Sequence, residues 1–243
     1  MDRIWQIFSF DQAKPLIFTQ LDFWLFFLAV MVIFAMIHKH NLVRSIFLTV
    51  VSLFFYFKTS GLFVILLSGS LIGNYFFGRW VYNAQKDSSK KWIIGIGAFM
   101  NLAVLAYFKY AYFFTKSFND MFHTKYEIFN HFSYWGNSMF DGNYFAVDKI
   151  ILPVGVSFFT FQSISYFVDI YRKEIKPVKN FFDYTFFVTF FPQLVAGPIV
   201  RARDFIPQIH EPFSLNKTDF SWAVIQIVKG LIKKIILADY IAI

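Results

Sequence analysis

Residues 151–208 read ILPVGVSFFTFQSISYFVDIYRKEIKPVKNFFDYTFFVTFFPQLVAGPIVRARDFIPQ, and this stretch decides the fold of the chain. Six of the seven prolines lie between Pro153 and Pro212, so an otherwise uniform hydrophobic sequence bends here. Polar residues also enter its apolar segments at regular spacing. The stretch therefore predicts the floor of a buried site between helices.

The first half of this stretch, residues 156–171, predicts a helix with one polar face. Its polar residues recur at steps of three and four, which places them on one side of a helix: Gln162, Ser165, Tyr166, Asp169, Arg172 and Lys173. A carboxylate on such an apolar helix is costly unless it faces a partner or water. In one interpretation, Asp169 pairs with Arg172 or Lys173 at an interfacial helix end. In the other, Gln162, Tyr166 and Asp169 line a polar cavity inside the bundle.

The second half predicts a re-entrant segment. The apolar residues 181–191 are too few to cross a bilayer, which takes about 20 residues. Pro192 then removes a backbone donor and disfavours helix at the residue before it, and Gln193, Gly197 and Pro198 follow. Irregular backbone at membrane depth is tolerated only where protein buries it or where it lines a wet cavity. Such a segment is typical of a site in an enzyme or in a transporter.

The composition indicates a membrane protein. Hydrophobic residues make up 57% of the chain and charged residues 16%, whereas soluble domains average about 25% charged residues. The 37 phenylalanines exceed what a core of this size can bury, so lipid must be the solvent for much of the surface. A net charge of +8 then reflects Lys and Arg at cytoplasmic helix ends rather than nucleic-acid binding. The absence of cysteine excludes disulfides, thiolate metal sites and a cysteine nucleophile, and no metal site is expected.

We predict an all-α, multi-pass integral membrane bundle in which residues 1–243 form a single membrane domain. Residues 1–117 carry four transmembrane helices, centred on 23–37, 42–57, 62–81 and 92–114. Residues 118–150 are too polar to span and predict an interfacial segment. The motif-bearing helix and re-entrant loop occupy 151–208, and a further membrane helix occupies 218–243. The spacing of Gly69 and Gly73 favours close helix packing.

The basic residues predict the orientation. Two predicted helices, 42–57 and 62–81, separate the loops at 38–44 and 79–91, so these loops lie on the same side. They hold one acid, Asp87, against six bases: Lys39, Arg44, Arg79, Lys86, Lys90 and Lys91. The positive-inside rule puts these loops in the cytoplasm and the N-terminus outside it.

Four segments carry a resemblance to a known family. LPVGVSFFTFQSISYFVDIYR at 152–172 and FFPQLVAGPIVRARDFIPQI at 190–209 resemble the signature of the membrane-bound O-acyltransferase family. YFKYAYFF at 107–114 and GLIKKIILADY at 230–240 resemble its alginate O-acetylation branch. The resemblance covers residues 107–240 and predicts that the chain is the N-terminal half of a longer domain.

The resemblance implies a disc of helices with a funnel on each side and an acyl transfer at its thin centre. The acyl group, here acetyl, passes from a cytoplasmic donor to an extracytoplasmic hydroxyl of a polysaccharide or of a partner protein. It implies no bound cofactor, and the donor is acetyl-CoA or another acyl thioester. The family uses a histidine within a later hydrophobic helix as general base. The histidines of this sequence are His38, His40, His123, His131 and His210. None of them lies inside a long apolar span, so the catalytic histidine is expected beyond Ile243.

We therefore expect no catalytic residue in this chain, only residues that shape the site. The candidates for lining the cavity are Gln162, Tyr166, Asp169, Gln193, Gly197 and Pro198. Arg172, Arg201 and Arg203 are candidates for contacting phosphates on the donor side, because guanidinium groups match phosphate oxygens. The expected location is the bacterial inner membrane. A transporter with the broken segment as its gate, or a non-catalytic scaffold of a surface-polysaccharide complex, remains the alternative.

Overall fold

The protein was analysed as a computed structural model, which describes residue 16 and residues 18–139 and 146–241. All regular structure in these residues is helical, which confirms the prediction of an all-α membrane bundle. Residues 140–145 of the predicted interfacial segment, residues 1–15 and 17, and the last two residues of the predicted final helix lie outside the described residues.

The helices follow one another with short connections. In chain order they are α1 Leu21–Ile37, α2 Asn41–Ser60, α3 Phe63–Asn83, α4 Asp87–Leu105, α5 Ala111–Phe122, α6 His131–Met139, α7 Val156–Tyr171, α8 Phe181–Thr189, α9 Phe191–Ala196, α10 Ala202–His210, α11 Lys217–Ile232 and α12 Asp239–Ile241. A π-helical turn, Ala106–Tyr110, joins α4 to α5, and another, Lys233–Ala238, joins α11 to α12. The predicted helices of residues 1–117 overlap α1 to α5, and the number of membrane crossings stays a prediction.

The surface of the bundle is that of a protein in lipid. Within the described residues, two helices are long and apolar enough to cross a membrane, α2 with 20 residues and the continuous helix Asp87–Phe122 with 36. Large apolar side chains are widely exposed, among them Met36 at 79%, Leu21 at 73% and Phe99 at 73%. Water-soluble monomers rarely expose apolar patches of this extent, so the exposed side chains indicate contact with acyl chains.

Helix α7 lies at the centre of the bundle, in contact with α3, α4, α8, α9 and α10. Gly78 lets α3 approach it, because a Cβ at this position would lie 2.5 Å from the Cε1 atom of Tyr166. A reciprocal pair of amides holds α3 to α4, since Asn74 and Asn101 each donate to the other's Oδ1, at 3.1 and 2.6 Å. The Gly69–Gly73 pair has no such role here: a Cβ at either position would meet nothing within 4 Å in the described chain beyond its own turn.

The basic loops gather at one end of the bundle, which we call the basic end. Arg44, in the first turn of α2, is buried and donates to the backbone carbonyls of Ile209, in the last turn of α10, and of Glu211, which follows that helix. On the neighbouring helix, the Tyr75 hydroxyl donates to the carbonyl of Lys179 at 2.9 Å. The α1–α2 loop, the last turns of α3, the α7–α8 connection and the end of α10 therefore lie at the same end.

Candidate functional site

The polar face of α7 is buried in the bundle. Gln162 is 1% exposed, Tyr166 0% and Asp169 2%. Both amide atoms of Gln162 and the Oδ2 atom of Asp169 have no hydrogen-bond partner among the described residues. A buried polar group without a partner costs about 1–3 kcal/mol. Such groups point to a function that needs them, or to a polar ligand that satisfies them.

Asp169 does not form the solvated ion pair of the first interpretation. Within the described chain, no ion pair joins it to Arg172 or Lys173, both of which are exposed. Its carboxylate is instead subject to the charges of Arg172, Arg201 and Arg203 as well as that of Glu174. Asp169 is therefore buried rather than solvated, and its place in a polar cavity stays a prediction.

Tyr166 is held in place by a hydrogen bond and by ring packing. Its hydroxyl accepts a hydrogen bond from the backbone N–H of Val178 at 3.0 Å. Its ring lies 4.6 Å from that of Tyr184, whose hydroxyl donates to Ser163 Oγ at 3.3 Å. Tyr184 was missed in the sequence because it lies within a run of phenylalanines. The polar triplet of Asp183, Tyr184 and the threonine after it was the available signal.

The predicted re-entrant segment is a helix broken at Phe190. The prediction that Pro192 disfavours helix at Phe191 is wrong, because α9 begins at Phe191 and Pro192 lies in its first turn, where a helix needs no backbone donor. Phe190, between α8 and α9, has φ −46° and ψ 107°, and Pro192 occupies the first turn of α9. The backbone N–H of Phe191, freed at the break, donates to Ser52 Oγ of α2 at 3.3 Å. A neighbouring hydroxyl thus satisfies the interrupted backbone, as interrupted helices at membrane depth require. Beside the break, the side-chain Nε2 of Gln193 is buried and has no partner among the described residues.

Two glycines let the backbone close around α9. A Cβ on Gly197 would lie 2.6 Å from Cα and 2.9 Å from the carbonyl oxygen of Gln193. Gly155, at the start of α7, has a φ of 73°, and a Cβ there would lie 2.7 Å from the carbonyl oxygen of Leu194. Pro198 is exposed in the loop that leads to α10. The two glycines therefore bring the start of α7 and this loop against the broken helix.

The three predicted donor-side arginines come together at the basic end. Arg172 follows the last residue of α7, and Arg201 and Arg203 lie at the start of α10, which packs on α7. All three are exposed. Arg203 pairs with Glu174 at 2.7 Å and lies 3.6 Å from Asp204. The three arginines thus lie at the C-terminal end of α7 together with the exposed acids Glu174 and Asp204.

A large cavity lies elsewhere, between the short helices and the outer face of the bundle. It has a volume of about 1140 Å³, and its wall is mostly aromatic and aliphatic, with contributions from α1, α2, α8, α9, α10 and α11. Among its lining residues, which all belong to the described chain, are none of the nine site candidates from the sequence. Arg44 is its one buried cation. The sequence analysis placed Arg44 in a loop and did not predict its burial. Its position at the start of an apolar helix was the signal available for it.

None of the five histidines, all of which the structure describes, is buried. His210 is 55% exposed and its Nε2 atom lies 3.5 Å from Asp183 Oδ2. In the described parts of the chain, no group of three or more His, Asp or Glu side chains is placed to hold a metal ion.

The chain is similar to bacterial enzymes named for O-acetyl transfer. It is 32% identical to the probable alginate O-acetylase AlgI of Pseudomonas aeruginosa over 202 residues, which is 82% of this chain and 35% of that protein. It is 33% identical to the protein of the same name from Azotobacter vinelandii over 202 residues, 82% of this chain and 37% of that protein. It is 30% identical to the peptidoglycan O-acetyltransferase of Helicobacter pylori over 228 residues, 83% of this chain and 40% of that protein.

The matched part thus spans 35–40% of the length of these three relatives. No family model matches the chain, and no solved structure matches it.

Proposed function

We propose, on the premise that the chain belongs to the membrane-bound O-acyltransferase family, that it is part of a membrane enzyme that transfers an acetyl group to a polysaccharide hydroxyl. The names of its relatives, alginate O-acetylase and peptidoglycan O-acetyltransferase, both describe O-acetylation of a sugar polymer. The observation that carries the proposal is the set of unpartnered polar groups buried on α7 and α9, beside a broken helix. Apolar packing alone does not require buried polar groups without partners, whereas a polar substrate would form hydrogen bonds with them.

In this proposal α7 and α9 form a wall of the transfer chamber. The amide of Gln162 and that of Gln193 each offer a donor, and Gln162 also offers an acceptor, to a substrate hydroxyl or carbonyl. Tyr166 and Asp169 lie on the same helix face as Gln162. Gly197 and Pro198 shape the loop that closes on α9. These six residues contact or orient substrate, and none of them is assigned the proton transfer.

The donor is proposed to be acetyl-CoA or another acyl thioester, with its phosphates near Arg172, Arg201 and Arg203. The acceptor hydroxyl attacks the thioester carbonyl, the oxygen–carbon bond forms, and the thiolate leaves and takes up a proton. A general base must remove the hydroxyl proton, and this role is assigned to none of the residues named here. The three arginines beside α7 support this position for the phosphates of the donor, because a guanidinium group can bind phosphate oxygens through two parallel hydrogen bonds.

The basic end is proposed to face the cytoplasm, with the N-terminus outside it and the inner membrane as the location. The gathering of the basic loops at one end supports this orientation, because Lys and Arg accumulate in cytoplasmic loops. Residues 1–243 contain no cysteine, so a single cysteine introduced among them has no competitor in this part of the chain. We expect Lys86→Cys to be protected from a membrane-impermeant maleimide in intact cells, and Thr59→Cys, near the opposite end of α2, to be labelled. Labelling of Lys86→Cys in intact cells would reverse the orientation.

The transfer itself is tested with the complete protein in membrane vesicles, using radiolabelled acetyl-CoA and an unacetylated polysaccharide. We expect label in the polymer, and we expect Arg201→Gln combined with Arg203→Gln to raise the KM for acetyl-CoA. Lys86→Gln, which removes a cation from another loop at the same end, is the matched control and should leave the KM unchanged. If no label reaches the polymer or a partner protein, the chain belongs to a transporter or a scaffold, and the enzyme proposal fails.

A further inference from the structure

None of the nine residues proposed for the transfer site lines the large cavity, and its size and charge point to a different ligand. On one side it is walled by aromatic residues of α1 and of α9, with Phe23, Trp24 and Phe27 among them. On the other side α11 contributes Ile227 and Leu231. Its volume of about 1140 Å³ exceeds what an acetyl group can fill. Sites for drug-sized molecules measure about 300–1,000 Å³, so the cavity is large enough for long hydrocarbon chains.

A second, polar pocket of about 450 Å³ adjoins the cavity at the basic end. Its lining includes His38, Lys39, Asn41 and His210. His210 has Asp183 at 3.5 Å as its acidic neighbour. Lys39 is exposed and forms no ion pair with any acid of the described chain. We call this the basic pocket.

Phe213 connects the two spaces, since it lines both of them. Its ring forms a T-shaped contact with that of Phe34 in the cavity wall, with centroids 5.0 Å apart. It also lies 5.7 Å from the ring of His38 in the basic pocket. Arg44 stands at the same end of the cavity, and its buried guanidinium group is capped only by neutral backbone carbonyls in the described chain. The positive charge of Arg44 is therefore not neutralised by a carboxylate.

From this arrangement we infer that the two spaces form one binding site for an anionic phospholipid. The phosphate lies in the basic pocket, against Lys39 and His38, and the acyl chains lie in the aromatic cavity. Basic pockets between membrane helices on the cytoplasmic side bind phospholipid headgroups, and that side carries the anionic lipids. The inference goes beyond acetyl transfer and does not depend on it.

The lipid site is tested by native mass spectrometry of the complete protein released from nanodiscs of phosphatidylglycerol and phosphatidylcholine in equal amounts. We expect phosphatidylglycerol to be retained in preference to phosphatidylcholine. Lys39→Gln should weaken its retention about fivefold, the contribution of one cation near an anionic headgroup. Lys86→Gln, on another loop of the basic end, should leave retention unchanged.

A second pair of variants tests the acyl-chain cavity. Met31→Trp places a larger side chain in the cavity and should displace the lipid, whereas Met36→Trp adds the same side chain at an exposed position of the same helix and should not. Ile227→Trp, on the outer wall, repeats the test in case Met31→Trp impairs folding. Equal retention of the two lipids, or unchanged retention in both Lys39→Gln and the cavity variants, would overturn the inference. Displacement of phosphatidylglycerol by long-chain acyl-CoA would also overturn it, because the site would then belong to a donor.

Discussion

Replacement of Gly78 by alanine tests whether α7 is held in place through Tyr166. The new Cβ would lie 2.5 Å from Tyr166 Cε1 and 3.0 Å from Ile170 Cδ1, both far inside normal contact. Tyr166 is fully buried and its ring already lies against that of Tyr184, so it has no free space to move into. Overpacking of this kind costs about 1–3 kcal/mol.

Gly73→Ala on the same helix is the matched control. A Cβ at Gly73 would meet nothing within 4 Å, so this alanine brings only the gain of about 1 kcal/mol from replacing a helical glycine. Both alanines share that gain. We therefore expect Gly78→Ala to be less stable than Gly73→Ala by about 1–3 kcal/mol.

The difference is measured by unfolding in detergent, followed by tryptophan fluorescence. Combining Gly78→Ala with Tyr166→Leu should recover part of the loss, since the smaller side chain removes the ring that the Cβ strikes, and the two effects should not add. Equal stability of the two alanine variants would refute the packing of α3 on α7 described above.

Three further variants test other contacts of the site. Ser52→Ala leaves a buried backbone N–H at the break without a partner and should cost about 1–3 kcal/mol in the same unfolding assay, whereas Ser221→Ala on exposed α11 should not. Gly155→Ala forces alanine into a left-handed conformation and should lose about 1–2 kcal/mol, with unchanged stability arguing against the φ of 73°. Asn74→Leu and Asn101→Leu each leave the other residue's Oδ1 atom without its donor, although the remaining amide still donates to Ser70 or Gly97. The double variant should therefore be more stable than the sum of the single losses predicts. Additive losses would show that the two amides do not pair.

Much of the fold could be predicted because lipid imposes simple rules on the sequence. Long apolar runs form helices, and the apolar run with Pro192 at its end predicted the break between α8 and α9. The polar face of α7 was also visible, because Gln162, Tyr166 and Asp169 recur with the helical period. The helices at residues 23–37 and 42–57 correspond to α1 and α2 with shifted ends, as helix termini depend on contacts that periodicity does not contain.

The partners of these elements could not be predicted, because they come from distant parts of the chain. Ser52 reads as one hydroxyl in an apolar helix, and only the fold brings it to the backbone of Phe191. Arg44 has the sequence context of a loop cation. In the structure it is buried and donates to the carbonyl of Ile209, 165 residues further along the chain, because the end of α10 packs on α2. Gly69 and Gly73 have the spacing of a helix-packing motif but make no close contact. Gly78, which belongs to no such motif, is the glycine at which α3 approaches α7.

In the proposed function, the unpartnered polar groups of α7 act on a substrate rather than on the fold. The rate of acetyl transfer by Gln162→Leu in the complete protein distinguishes the two roles, with Phe161→Leu, an exposed position of the same helix, as control. Because the Gln162 amide has no partner to lose, Gln162→Leu should unfold no more easily than the natural protein. Its transfer rate should nevertheless fall about tenfold or more, the value of one hydrogen bond made to the reacting complex. Full transfer by a stable Gln162→Leu variant would contradict the account.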